Sequence, residues 1–179
     1  MLTKQKIFTN NNLINVLVAL IPLSLILGNL IININIILIC TLGLLIYKLE
    51  TFQINEKKYQ YLIFAFFLYL IIITLFKNLP NLSNGPIYKE HIIKSFFFLR
   101  FLIFFFIINK MIEKNHFNIN LFFVSCAFLS LAVTIDILIQ VSFGKNIFGY
   151  PITANRPSGF FGSENIAGGY IQKFSLFFI

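Results

Sequence analysis

Long runs of apolar residues, each close in length to the thickness of a lipid bilayer, constrain this chain more than any other feature. Several such runs follow one another along 179 residues, and short polar segments separate them. A hydrocarbon core of about 30 Å is crossed by about 20 apolar residues in a helix. Because 58% of the residues are hydrophobic and only 11% are charged, a soluble domain of this size could not cover its apolar surface. The sequence predicts an all-α, polytopic bundle of transmembrane helices.

The apolar runs predict about six membrane spans in one integral membrane domain that covers residues 1–179. The predicted spans are 13–30, 34–49, 59–76, 95–108, 119–143 and 165–179. Pro22 predicts a kink in the first span, and the polar stretch 31–33 is expected to separate the first span from the second. The sixth run is still apolar at residue 179, so we expect it to be truncated and the chain to be the N-terminal part of a longer protein.

The basic residues lie mostly at the ends of the apolar runs, where Lys and Arg border a bilayer. The formal net charge of +8 is therefore attributed to the membrane and not to nucleic-acid binding. With a cytoplasmic N-terminus, the inner segments hold Lys4, Lys6, Lys48, Lys57, Lys58, Lys110 and Lys114, and the outer segments hold Lys77, Lys89, Lys94, Lys145 and Arg156. This excess on the inner side favours that orientation, which places loop 144–163 outside the cytoplasm.

Motifs for metal, cofactor or nucleotide chemistry are missing from the sequence. It contains no HExxH, CxxC or GxSxG motif and no phosphate-binding loop, so neither a metal nor a cofactor is predicted. His91 and His116 stand alone and are interpreted as polar residues at the membrane surface. Cys40 and Cys126 lie within apolar runs and are expected to be small core residues without a disulfide.

Three polar residues interrupt the predicted spans and are candidates for a shared role. Asp136 and Gln140 are four residues apart, so they share one face of the fifth predicted helix. Arg100 lies in the middle of the fourth apolar run, where a buried partner or an anionic ligand is required. The sequence leaves open whether Asp136 makes a contact between helices, such as an ion pair with Arg100, or lines a polar substrate cavity. We expect the three residues to form one supporting polar cluster.

The loop at 144–163 is unusually rich in glycine and carries an arginine. Arg156 precedes a proline, which favours an extended backbone, and Gly159 and Gly162 allow tight turns. Residues 163–165 predict the cap of a helix whose N–H groups point out of the membrane. A guanidinium beside such a helix end suits a phosphate or a diphosphate. The alternative is a structural arginine that caps carbonyl groups or pairs with Glu164.

The stretches DILIQ, FGKNIFGYP and RPSGFFGSENIAGGY together resemble the O-antigen ligase family of bacterial polysaccharide ligases and polymerases. In that family a helix with a polar face leads into a periplasmic loop with an arginine, a following glycine, an aromatic residue and an asparagine at the next helix. Arg156, Gly159, Phe161 and Asn165 match this order. The resemblance covers residues 136–170, and the preceding hydrophobic spans agree with it.

The resemblance implies a metal-free, inverting glycosyl transfer at the outer face of the bacterial inner membrane. The donor would be a glycan on an undecaprenyl diphosphate carrier, and the acceptor would be a lipid A core sugar or a growing polysaccharide. Arg156 would bind the diphosphate leaving group, with Lys145 and Asn165 as further substrate-binding residues. The protein would be a multi-pass plasma-membrane protein with a cytoplasmic N-terminus.

The chain also departs from that family. Members are about twice as long, and a later periplasmic loop carries their catalytic histidine and a second arginine. Accordingly no catalytic residue is assigned within residues 1–179, and we expect the fragment to be inactive alone. A transporter or flippase for lipid-linked sugars is the alternative function, and a non-catalytic membrane scaffold is a third.

Overall fold

The computed structural model of the chain describes residues 2–52, 57–78, 86–152, 156–162, 164 and 166–177. In this described part the chain is helical, and strand-like pairing is limited to isolated bridges such as the one between Lys145 and Pro151. The α-helices are α1 (Leu2–Ala19), α2 (Ile21–Ile26), α3 (Asn29–Tyr47), α4 (Lys57–Asn78), α5 (Pro86–Glu113), α6 (Ile119–Phe143) and α7 (Ala167–Ser175). Short 3₁₀ helices are formed by Lys48–Phe52 and Gly159–Phe161.

Within the described residues, 4 helical segments are long and apolar enough to cross a membrane. They are Asn29–Phe52, Tyr61–Asn78, Glu90–Glu113 and Ile119–Phe143. These segments support a membrane helix bundle, and they correspond to the second to fifth predicted spans. The prediction of about six spans is not confirmed, because the first and sixth predicted spans do not form helices of that length.

The first predicted span, 13–30, is divided by two breaks. Helix α1 ends at Ala19, and α2 begins at Ile21 with Pro22 in its first turn, where the missing proline N–H does no harm. Gly28 then adopts φ +109° and separates α2 from α3. The polar stretch 31–33 lies inside α3, because the left-handed glycine, and not these residues, forms the boundary.

The described part of the predicted sixth span, residues 166–177 of 165–179, contains the nine-residue helix α7, which is about 14 Å long at 1.5 Å per residue. Helix α5, in contrast, is longer than the span predicted for it. It extends beyond the predicted span 95–108 at both ends, because it begins at Pro86 and ends at Glu113.

Residues 1–10 and 36–117 form the first of two compact units. Helix α4 packs along α5, and the 3₁₀ helix Lys48–Phe52 also contacts α5. A Cβ atom at Gly43 would lie 2.6 Å from the Ile107 side chain, so this glycine permits close packing of α3 on α5. In the same unit Tyr47 Oη lies 3.1 Å from Nδ1 of His116.

Residues 11–35 and 118–179 form the second unit. Its core joins α6 to α7 through five buried residues: Cys126, Val133, Ala167, Tyr170 and Phe174. The Tyr170 hydroxyl donates a hydrogen bond of 3.0 Å to the Pro22 carbonyl, so α2 is attached to the same core. The N-terminus of α6 is capped by the side chain of Asn118, which accepts from Leu121 N–H at 3.1 Å.

Candidate functional site

Asp136 is fully buried on α6, and its carboxylate binds the loop that follows the helix. Its Oδ1 accepts a hydrogen bond from the backbone N–H of Ile147 at 3.0 Å. Its Oδ2 accepts from Nδ2 of Asn146 at 3.4 Å. These donors are uncharged, so hydrogen bonds, and not a cation, compensate the burial of the carboxylate in these contacts.

Gln140 lies one turn further along α6 and is also fully buried. Its Oε1 accepts from Gly159 N–H at 2.8 Å. Its Nε2 lies 3.2 Å from the carbonyl of Tyr150 and 3.4 Å from that of Pro151. One amide group therefore links α6 to both sides of the loop.

Asn146 completes this arrangement from within the loop. Its Nδ2 donates to the Gly159 carbonyl at 2.7 Å, and its Oδ1 accepts from Tyr150 N–H at 2.7 Å. Asn146 is 5% exposed, so the bonds are shielded from water. We call Asp136, Gln140 and Asn146 the loop clamp. Sequence reasoning missed Asn146, whose only signal is a short polar side chain soon after the end of a helix.

Gly159 lies where the two sides of the loop meet the clamp. It has φ +56°, and a Cβ atom built on it would lie 3.1 Å from Cγ1 of Ile137 and 3.3 Å from Oδ2 of Asp136. Any side chain here would combine a left-handed backbone with a tight contact. The glycine identified in the sequence is therefore required both for its conformation and for the close approach of backbone to helix.

Arg156 and Lys145, the predicted cationic ligands, are both exposed on the loop that the clamp holds. Lys145 directly follows Gly144, the left-handed residue that ends α6, and forms an isolated bridge with Pro151. Arg156 is three residues before Gly159. The ion pairs found among the described residues do not include Arg156 with Glu164, so the structure does not show the alternative of a structural pair.

The helix after the loop begins later than the sequence predicts. Helix α7 starts at Ala167, and its N-cap residue is Ile166, which provides no side-chain cap. The chain turns first: Gly162 has φ +62° and ψ −112°, and Glu164 N–H donates to the Phe161 carbonyl. Asn165, predicted as a substrate-binding residue at the helix start, lies outside the described residues.

Arg100 belongs to the first unit, whereas Asp136 and Gln140 belong to the second. Its guanidinium lies 5.0 Å from the centre of the Phe101 ring, a cation–π distance. Its carbonyl is 3.5 Å from the Cys40 thiol. That Arg100 joins the supporting polar cluster therefore stays a prediction, while Asp136 and Gln140 are brought together by the loop.

The loop presents two exposed cationic side chains, those of Lys145 and Arg156, and the loop clamp hydrogen-bonds the loop backbone to α6. Among the described residues, no group of three His, Cys, Asp or Glu side chains is arranged to hold a metal ion. No family model, curated protein or solved structure matches this chain.

Proposed function

We propose that this chain belongs to a membrane glycosyltransferase of the O-antigen ligase type. It would transfer a glycan from an undecaprenyl diphosphate carrier to a lipid A core or to a growing polysaccharide at the outer face of the bacterial inner membrane. The observation that carries the proposal is the exposed Arg156 on a loop that Asp136, Gln140 and Asn146 tie to α6.

The loop clamp supports this role because catalysis by charge stabilisation needs donors that are in place before the charge develops. The acceptor hydroxyl oxygen forms a bond to the anomeric carbon, and its proton passes to a base, a role that is assigned to no residue within 1–179. The bond from that carbon to the diphosphate oxygen breaks with its electron pair, so negative charge accumulates on the leaving group. The planar guanidinium of Arg156 can donate two parallel hydrogen bonds to phosphate oxygens. In the proposed reaction it stabilises the departing diphosphate without a metal ion.

Lys145 supplies a second exposed cation on the same loop, and we propose that it contributes to diphosphate binding as a point charge. The proposed role of Asn165 follows from the resemblance alone. The alternative of a transporter or flippase rests on Asp136 and Arg100 facing a cavity and on a broken span near Pro22, and the break between α1 and α2 agrees with the second point. The described bonds of Asp136 are made to the loop, so this residue no longer favours transport.

The proposal is tested by substituting Arg156 in the full-length protein and measuring glycan transfer from a purified lipid-linked donor. Arg156→Ala should lower kcat about 100-fold, as expected for the loss of one transition-state donor. Arg156→Lys keeps the charge but loses the two-pronged geometry, so an intermediate loss is expected.

Lys173→Ala is the matched control, because Lys173 is an exposed cation in the same unit but lies on α7. Its transfer rate should equal that of the unmodified protein. Normal transfer by both Arg156 variants, at unchanged expression and membrane insertion, would show that Arg156 does not bind the leaving group.

A further inference from the structure

A cleft of 580 Å³ lies between α4 and α5 in the first unit, remote in sequence from the loop clamp. Its walls are two stripes of residues with helical spacing. Helix α4 contributes Leu70, Ile73 and Lys77 among others, and α5 contributes His91, Lys94 and Phe98. The volume lies within the ~300–1,000 Å³ usual for small-molecule sites.

The two ends of this cleft differ in polarity. Lys77, His91 and Lys94 occupy one end, where all three are exposed. Leu70 and Phe98 line the other end, and each is seven residues, or about 10 Å, along its helix from Lys77 and His91 respectively. The cleft is therefore cationic at one end and apolar at the other.

Lys94, at the cationic end, keeps ammonium donors available for an anion. Lys94 Nζ lies 2.7 Å from Oε1 of Glu90, and both side chains are largely exposed, at 67% and 61%. This pair uses one of three ammonium donors of Lys94, and Lys77 adds a second positive charge. Counting Lys77, Lys94 and Glu90, the end carries a net positive charge.

The position of the cleft along the spans identifies the kind of ligand. Its cationic end coincides with the end of the candidate span Tyr61–Asn78 and the start of Glu90–Glu113. At the end of a span the surrounding solvent changes from acyl chains to lipid headgroups. A ligand with an anionic head and an apolar tail would match the charge and the polarity of the cleft at once.

We propose that this cleft binds one anionic phospholipid. Its phosphodiester would lie at Lys77 and Lys94, and part of an acyl chain would lie along Leu70, Ile73 and Phe98. The site is independent of the proposed glycan transfer, because it lies in the other unit and uses none of the residues assigned to that reaction.

The test is native mass spectrometry of the purified chain in detergent, titrated with phosphatidylglycerol or with phosphatidylcholine of identical acyl chains. Phosphatidylglycerol should bind at least about tenfold more tightly, since each of the two lysines near an anionic headgroup adds a factor of about five. Lys77→Gln/Lys94→Gln should abolish this preference. Lys48→Gln/Lys173→Gln removes two exposed lysines elsewhere and should leave it unchanged.

The apolar end is tested by Phe98→Ala, with Phe96→Ala as control, because both rings are exposed on α5 and only Phe98 lines the cleft. Phe98→Ala should weaken phosphatidylglycerol binding several-fold, and Phe96→Ala should not. Soluble glycerol phosphate should not displace the lipid at equal concentration. Displacement of the lipid by glycerol phosphate would indicate a site for free phosphate. An unchanged preference of Lys77→Gln/Lys94→Gln for phosphatidylglycerol would indicate that these lysines only border the bilayer. Either result overturns the proposal.

Discussion

A carboxylate that is buried without hydrogen-bond partners costs a protein several kcal/mol. A fully buried aspartate on a helix long enough to span a membrane therefore needs such partners. Asp136 finds its compensation in the loop, where one backbone N–H and one side-chain amide donate to it. Gly159 makes the approach possible, because only a residue without Cβ fits beside the carboxylate at a positive φ. The position of the loop on α6 therefore depends on the Asp136 carboxylate and on the absence of a Cβ atom at Gly159.

Gly159→Ala should therefore destabilise the chain more than an equivalent change at another left-handed glycine. The expected loss is about 2 kcal/mol or more, because a left-handed backbone costs a non-glycine residue about 1–2 kcal/mol and a tight contact adds to it. Gly149→Ala is the control, since Gly149 has φ +84° but nothing within 4 Å of a Cβ. Thermal unfolding of the purified protein in detergent measures both, and equal midpoints would show that the contact with Asp136 is unimportant.

At the scale of elements, the sequence pattern predicts which helices form and which residues share a face better than it predicts where the helices begin and end. The spacing of Asp136 and Gln140 correctly predicts a shared face of α6, and the second to fifth apolar runs correspond to helices of spanning length. The break at Gly28 was not predicted, because an apolar sequence with one glycine is compatible with either a continuous helix or a left-handed residue.

The clamp itself could not be read from the sequence. Periodicity shows that Asp136 and Gln140 point the same way, but it does not show which backbone amides they meet. Asn146 was missed because its role depends on the tertiary approach of Gly159, which is 13 residues further along the chain. The cleft between α4 and α5 was missed for the same reason, since His91 and Lys77 belong to different helices.

The loop clamp predicts that the loop separates from α6 more often when the Asp136 carboxylate is removed. Asp136→Ala removes both acceptors of the carboxylate, so amide exchange at Ile147 should accelerate at least about tenfold, which corresponds to the ~1.5–3 kcal/mol of hydrogen bonds to a charged group. Asp136→Asn keeps one acceptor and should give a smaller increase. Hydrogen exchange with mass spectrometry on the purified protein resolves the two.

Thr134→Val is the matched control on the same helix, because the Thr134 hydroxyl bonds only to the Ser130 carbonyl of α6 in the described contacts. Its exchange at Ile147 should match that of the unmodified chain. Unchanged exchange in Asp136→Ala would mean that the loop holds its shape without the carboxylate.

At the scale of the whole molecule, the four span-length helices support membrane insertion, while orientation depends on the distribution of basic residues. The proposed function requires the loop after α6 on the outer side, where a lipid-linked glycan donor would be presented. Orientation is therefore a condition that the proposal must satisfy, and it can be tested without measuring activity.

We predict that a cysteine at Ile147 reacts with a membrane-impermeant thiol reagent added to intact cells, and that a cysteine at Asn115 reacts only after the membrane is permeabilised. Ile147 is 59% exposed and binds the clamp through its backbone, so the substitution preserves the loop. Ser158 on the same loop is unsuitable for labelling, because its side chain is fully buried. The native thiols of Cys40 and Cys126 are buried, so the parent chain serves as the unlabelled background. Reversed labelling would place the loop in the cytoplasm, and because the proposed donor is presented outside, Arg156 could not then bind its diphosphate.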